Sequence, residues 1–140
     1  MGKTKAADLN MPFSRLVGSA AAHTPLGATV NNGRFVAHQD IEVTGVKVTA
    51  EAAVTGANTN SATLKLLNLG ADGQGTAEVA SLPLTLGTDL AADTPKTIPL
   101  SATPANLLVN AGQALTFQQT KVGNGMDLAA MHLEVSYKLQ

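Results

Sequence analysis

Histidines and carboxylates carry most of the chemical potential of this chain, which has three of the former and ten of the latter in 140 residues. His38, Asp40 and Glu42 are spaced i, i+2, i+4, a spacing that on a strand puts all three on one face. His132 and Glu134 repeat the spacing near the other end. Imidazole and carboxylate groups projecting from adjacent strands could hold a divalent metal. A His-x-His pair is absent, however, and these residues alternate with apolar neighbours. The spacing therefore predicts a solvated strand face and no metal site.

The other chemical candidates are weaker. The run Gly70-Ala-Asp-Gly-Gln-Gly75 lacks the lysine and hydroxyl residue that close a phosphate loop. It offers one acid, Asp72, where a calcium loop needs several oxygen side chains. It predicts a hairpin turn. No G-x-S-x-G elbow is present, and Ser19, near His23, has no rigid partner in sequence. Asp89 and Asp93 share one loop, while Glu51 and Glu78 stand apart, so no acid–base pair is specified. The chain has no cysteine, which excludes a thiol nucleophile, a thiolate zinc site and a disulfide scaffold. No catalytic residue, metal or cofactor is expected.

The elements that would position these groups are strands. From residue 35 onward the apolar period is two. Met131, Leu133, Val135, Tyr137 and Leu139 alternate with His132, Glu134, Ser136, Lys138 and Gln140, the pattern of a half-buried strand. Ile41 and Val43 set one phase and Val46, Val48 and Ala50 the opposite one, so Gly45 between them predicts a bulge or a bend. Leu64 with Leu66, Leu82 with Leu84 and Leu86, Ile98 with Leu100, Leu107 with Val109, and Leu115 with Phe117 continue the series. Pro83 has no amide hydrogen, so its strand should lie at an edge or contain a break. Asn32-Gly33, Thr55–Asn58, Gly70–Gly75, Ala111-Gly112 and Gly123–Gly125 read as turns between these runs. Short helices fit Ala50–Val54 or Pro104–Leu108, but neither window outweighs the strands. Seven or eight short strands with recurring turns predict an all-β, antiparallel jelly-roll sandwich over residues 35–140. Its expected core is Val43, Val46, Val48, Leu64, Leu66, Leu84, Leu115, Phe117, Leu133, Val135 and Tyr137.

Residues 1–34 read differently. They hold Lys3, Lys5, Arg15 and Arg34 against Asp8 alone, a net +3, whereas the remainder has five lysines against nine acids, a net −4. Pro12, Pro25 and four glycines interrupt the segment, and its large apolar residues keep no period. The expectation is an extended N-terminal arm with at most one short helix. Leu9, Met11, Phe13, Leu16 and Val17 are costly to leave in water, so together with Arg15 they are the candidate partner-binding residues.

Composition narrows the partners. Charged residues are 14% of the chain and the net charge is −1, which is not the footprint of a nucleic-acid binder. Aromatics are 3%, too few for base-stacking platforms or aromatic cages. No run of 18 apolar residues occurs, so no membrane-spanning helix is expected. Lys3 and Lys5 are not followed by an uninterrupted apolar region before Arg15, so no secretory leader is expected.

The stretch Val54-Thr-Gly-Ala-Asn-Thr-Asn-Ser-Ala-Thr-Leu-Lys-Leu-Leu-Asn-Leu-Gly-Ala-Asp-Gly-Gln-Gly-Thr76 resembles head-associated structural proteins of tailed bacteriophages. Leu100-Ser-Ala-Thr-Pro-Ala-Asn-Leu-Leu-Val-Asn-Ala-Gly112, Val122-Gly-Asn-Gly125 and Leu133-Glu-Val-Ser-Tyr137 extend the likeness, in order, over residues 41–140. The small cement, or decoration, proteins of short-tailed phages are the nearest group. That resemblance implies a non-enzymatic jelly roll on the outer surface of an icosahedral virion, assembled in the host cytoplasm. Its implied partners are the major capsid protein and neighbouring copies of itself, as a dimer or trimer. The alternatives are a head-fibre or tail-associated β-sandwich protein of the virion, and a metal-dependent cupin-like enzyme. The resemblance does not cover residues 1–34.

Overall fold

Alternating side chains organise the described part of the chain, residues 13–140 of this computed structural model, into nine strands. They are β1 (Phe13–Ala20), β2 (Val30–Val36), β3 (Ile41–Ala50), β4 (Ser61–Asn68), β5 (Ala77–Pro83), β6 (Lys96–Thr97), β7 (Leu108–Val109), β8 (Ala114–Val122) and β9 (Met131–Leu139). One turn of 3-10 helix at Pro104–Leu107 separates β6 from β7.

All the strand pairings are antiparallel and form two sheets. The first runs β1-β9-β3, with β6 and β7 both pairing the far side of β3; the second runs β2-β8-β4-β5. If β6 and β7 are counted as one interrupted strand, the chain orders are 1-8-3-6 and 2-7-4-5. This is the double Greek-key order of a jelly roll. Pro99 and Pro104 explain the interruption, because neither can donate to a ladder with β3.

The core lies between the sheets, and all eleven residues expected there are buried. On β9, Met131, Leu133, Val135 and Tyr137 point inward and their polar alternates outward. β3 changes register between Val43 and Gly45, so a bulge restores the apolar phase at Val46. Pro83 ends β5, which is an edge strand of the second sheet. Two expectations shift here. β5 begins at Ala77 rather than at Leu82, and Leu86 lies beyond it as an exposed turn residue.

The larger correction is at the N-terminal end. Residues 13–34 are not an arm in the structure. β1 pairs β9 and β2 pairs β8, so each sheet takes one edge strand from this segment. The intervening loop is pinned by Leu26 N–H to the Met126 carbonyl at 2.9 Å and by reciprocal His23–Leu128 bonds at 2.9 Å. Leu26 is fully buried. Asn32-Gly33, expected as a turn, is instead a bulge inside β2. Residues 1–12 of the expected arm lie outside the described residues.

The two new edges touch at one point. Gly33 has φ +68°, and a Cβ there would sit 2.5 Å from the Val17 carbonyl oxygen and 2.7 Å from the Gly18 Cα. A Cβ on Gly18 would overlap the Asn32 carbonyl. The two glycines thus let the backbones of β1 and β2 pack directly and close that side of the sandwich. The carbonyl of Gly33 accepts a 2.7 Å bond from the fully buried Thr116 hydroxyl.

Candidate functional site

The histidine–carboxylate candidates do not converge. His38 and Asp40 precede β3, so only Glu42 of that trio stands on the strand. Asp40 is engaged in structure: its Oδ1 accepts the Ala111 N–H at 2.8 Å, and its carbonyl accepts the Gln140 N–H at 3.0 Å. Glu42 faces Lys138 at 3.8 Å on the outer side of the first sheet. His132 and Glu134 stand 3.9 Å apart on the same outer face, both partly exposed. Among the described residues no three metal-ligating side chains come together.

The glycine loop is a tight β4–β5 connection. Gly70 N–H donates to Asn68 Oδ1 at 2.8 Å and Gln74 N–H to Asp72 Oδ1 at 2.9 Å, so its two polar side chains brace the turn itself. Ser19 stands on β1 opposite His132, while His23 is in the following loop.

What the fold does assemble is aromatic. Tyr137 on β9 is stacked against Phe13 of β1 at 5.6 Å between ring centroids and packs at a tilt of 33° against Phe35 of β2 at 5.5 Å. Three of the four aromatic rings in the chain therefore meet at one end of the sandwich, bringing the two sheets together there. Such ring pairs contribute about 0.5–1.5 kcal/mol beyond the area they bury. Beside them runs a groove of about 270 Å³. Ile41 and Leu139 continue its apolar floor, Arg15 borders it from β1, and Ala37, His38 and Gln39 border it from the β2–β3 loop.

The candidate partner-binding residues separate along β1. Leu9 and Met11 lie outside the described residues. Phe13 is 41% exposed despite its stack on Tyr137, and Arg15 is exposed on the groove. Leu16 is 55% exposed and pairs with Glu134 on the outer face. Val17 is only 4% exposed and belongs to the core, because the register shift between Leu16 and Gly18 turns it inward. It is therefore removed from the binding set. Sequence reasoning missed Phe35 and Tyr137 as members of this surface. The signal was present in the scarcity of rings, but only the β1–β9 and β2–β8 pairings show which of them meet.

Arg15 and His38 are absent from the ion pairs among the described residues, which are Lys65–Glu78, His132–Glu134 and Lys138–Glu42. The groove thus combines an apolar floor with the Arg15 guanidinium at its rim.

No protein-family model matches this chain. No curated protein matches it either. Among solved structures it is similar to the chain in a structure of the infectious bursal disease virus Gx strain, at 12% identity and TM-score 0.47, covering 92% of this chain and 32% of that one. A VP2 subviral particle of infectious bursal disease virus gives 12% identity and TM-score 0.45, covering 93% and 32%. The T13 particle of the same virus gives 14% identity and TM-score 0.43, covering 92% and 31%. The chain spans about a third of the length of these structures. The strand order, and not these likenesses, establishes the jelly roll.

Proposed function

We propose that the protein is a structural component of a tailed-phage virion that binds the outside of an icosahedral capsid and cements neighbouring major capsid proteins. The observation that carries this reading is the pair of exposed apolar side chains on edge strand β1, Phe13 at the groove and Leu16 on the outer face. Phe13 and Leu16 are large apolar side chains left about half in water, on a strand whose outer side has no ladder partner among the described residues. The resemblance to cement proteins supports it; the matching segments fall on β4 with its flanking loops, the loop through β7 to Gly112, the end of β8 and the middle of β9.

Covering the exposed half of Phe13 and of Leu16 contributes about 1 kcal/mol each. That is weak for one contact, but many copies on one shell act together against the outward pressure of the packaged genome. Arg15 sets orientation and encounter rate more than affinity. Leu9 and Met11, which precede this strip, belong to the same proposed surface. Neighbouring copies, as dimers or trimers, are proposed as the second partner.

Co-sedimentation with emptied phage heads tests the reading. Wild-type protein should pellet with the heads; Leu16→Ser should weaken that binding while melting near the wild-type temperature, and adding Phe13→Ser, which also breaks the stack on Tyr137, should lose most of the binding and lower the melting temperature by a few degrees, about 1 kcal/mol. Equal binding by the double variant would refute the β1 surface. Quantitative mass spectrometry of mature particles tests the role itself: cement should be present in hundreds of copies, whereas tens or fewer would indicate a fibre or tail component.

A further inference from the structure

We propose that the outer face of the first sheet binds a second copy of this chain about a two-fold axis, through a checkerboard of charges on β3 and β9. The inference rests on the self-association in the proposed function and not on its capsid contact, and it gives that association a surface and a symmetry.

The register builds the pattern. Lys47 of β3 lies opposite Glu134 of β9, and Glu42 lies opposite Lys138. All of them stand on the outer face, because the alternate residues of both strands fill the core. The two rows lie about 14 Å apart along the strands, and the strands themselves about 5 Å apart. Each charge therefore has the opposite sign beside it across the sheet and beyond it along its own strand. The bonds made within one copy leave this pattern open. Lys138 reaches Glu42 only at 3.8 Å, Glu134 reaches His132 at 3.9 Å, and Lys47 is in none of the ion pairs among the described residues. The Glu134 side chain is 54% exposed.

A checkerboard of this kind is complementary to itself, which is why a twin is the fitting occupant. Between the charged rows the face is low: Gly45 pairs with Ser136, and a Cβ built on Gly45 would meet only the Ser136 Cβ, at 3.8 Å. A two-fold axis running across the strands through that pair turns a second copy onto the face. Glu134 of each copy then stands over Lys138 of the other, and Lys47 over Glu42, so every charge meets its opposite. Leu108, 41% exposed and paired with Glu42, falls over Thr97, which is paired with Lys47. The strands of the two facing sheets run aligned, as stacked sheets do. Leu16 borders the Glu134 row on β1 and lies outside the checkerboard. A small, polar face of this kind gives a weak, transient pair, in which the charges select the orientation.

Charge reversal in the full-length protein tests both the face and the axis. Sedimentation at concentrations up to about 1 mM should show the wild type passing from monomer to dimer. Glu134→Lys alone and Lys138→Glu alone each set like charges against each other across the axis, and each should weaken the dimer at least about tenfold, with melting curves confirming that both variants are folded. An equimolar mixture of the two variants restores every opposite-sign pair, so it should recover the wild-type affinity as a heterodimer. A mixture that stays monomeric would overturn the proposal, because an axis along the strands would set Glu134 against Lys47 and could not be rescued in this way. Dimerisation that neither variant weakens would place the self-association on another surface and overturn this face alone. A wild type that stays monomeric throughout would overturn the face together with the pairing of free copies, and would leave the capsid contact to the pelleting assay.

Discussion

The contact between Gly18 and Gly33 permits a prediction in which two physical costs can be separated. Gly33→Ala carries both. Its φ of +68° is left-handed, which costs a residue with a Cβ about 1–2 kcal/mol. Its new methyl would also meet the Val17 carbonyl at 2.5 Å and the Gly18 Cα at 2.7 Å, and backbone atoms between two sheets cannot step aside cheaply. Overpacking of this kind adds about 1–3 kcal/mol, so the total is about 2–5 kcal/mol. Two other glycines isolate the contributions. Gly87 has φ +89° with nothing within 4 Å of a built Cβ, so Gly87→Ala should show backbone strain alone. Gly18→Ala should show the clash alone, against the Asn32 carbonyl, because its φ is not left-handed. For a domain of this size each kcal/mol lowers the melting temperature by about 2–4 °C, so Gly33→Ala should melt about 4–20 °C below wild type. Urea unfolding with an unchanged m-value would confirm that the loss is in the folded state. If Gly33→Ala costs no more than Gly87→Ala, the two edges are not in backbone contact and the account of how the sandwich closes is wrong.

Two further outcomes follow from the core. Phe117→Ala empties a fully buried position on β8 and should cost about 3–5 kcal/mol in urea unfolding, with the far-UV spectrum still that of a β protein. Gln119 is 0% exposed on the same strand, and its Nε2 has no hydrogen-bond partner, although the 3.3 Å contact from Asn32 Nδ2 satisfies its Oε1. Gln119→Leu removes the orphaned donor while Asn32 keeps its 3.4 Å bond to the Phe117 carbonyl, so stability should rise by about 1 kcal/mol; a loss of that size would mean the amide is satisfied in solution.

The strands that could be read in the sequence are those whose alternation is driven by burial on one side. β9 lies between two neighbours and shows an unbroken period of two. The phase change at Gly45 was readable for the same reason, since apolar residues on both sides of it had to reach one core. Pro83 marked an edge because a missing amide hydrogen has few places to go. β1 and β2 gave no such signal. A bulge before Gly18 reverses the phase of β1, and the first four residues of that strand are exposed. β2 carries Asn31-Asn32-Gly33-Arg34 through its centre, and one of these, Asn32, turns toward Gln119 rather than toward an apolar neighbour. Polar pairing inside a sandwich looks like a loop when only the chain is read. The candidate site was half legible: the apolar residues of β1 stood out, but their aromatic partners are contributed by strands distant in sequence.

The interrupted strand opposite β3 bears on how many neighbours a molecule of this shape can recruit by strand pairing. Two short pieces occupy that flank, and Ile98 N–H fills part of the gap between them by bonding the Val46 carbonyl at 2.9 Å. The outer side of β5 is likewise covered, by Ser81 N–H to the Pro99 carbonyl and by Ser101 N–H to the Val79 carbonyl. Edges covered in this way present a neighbour with no long run of free donors and acceptors, so strand addition is blocked both at β5 and beside β3.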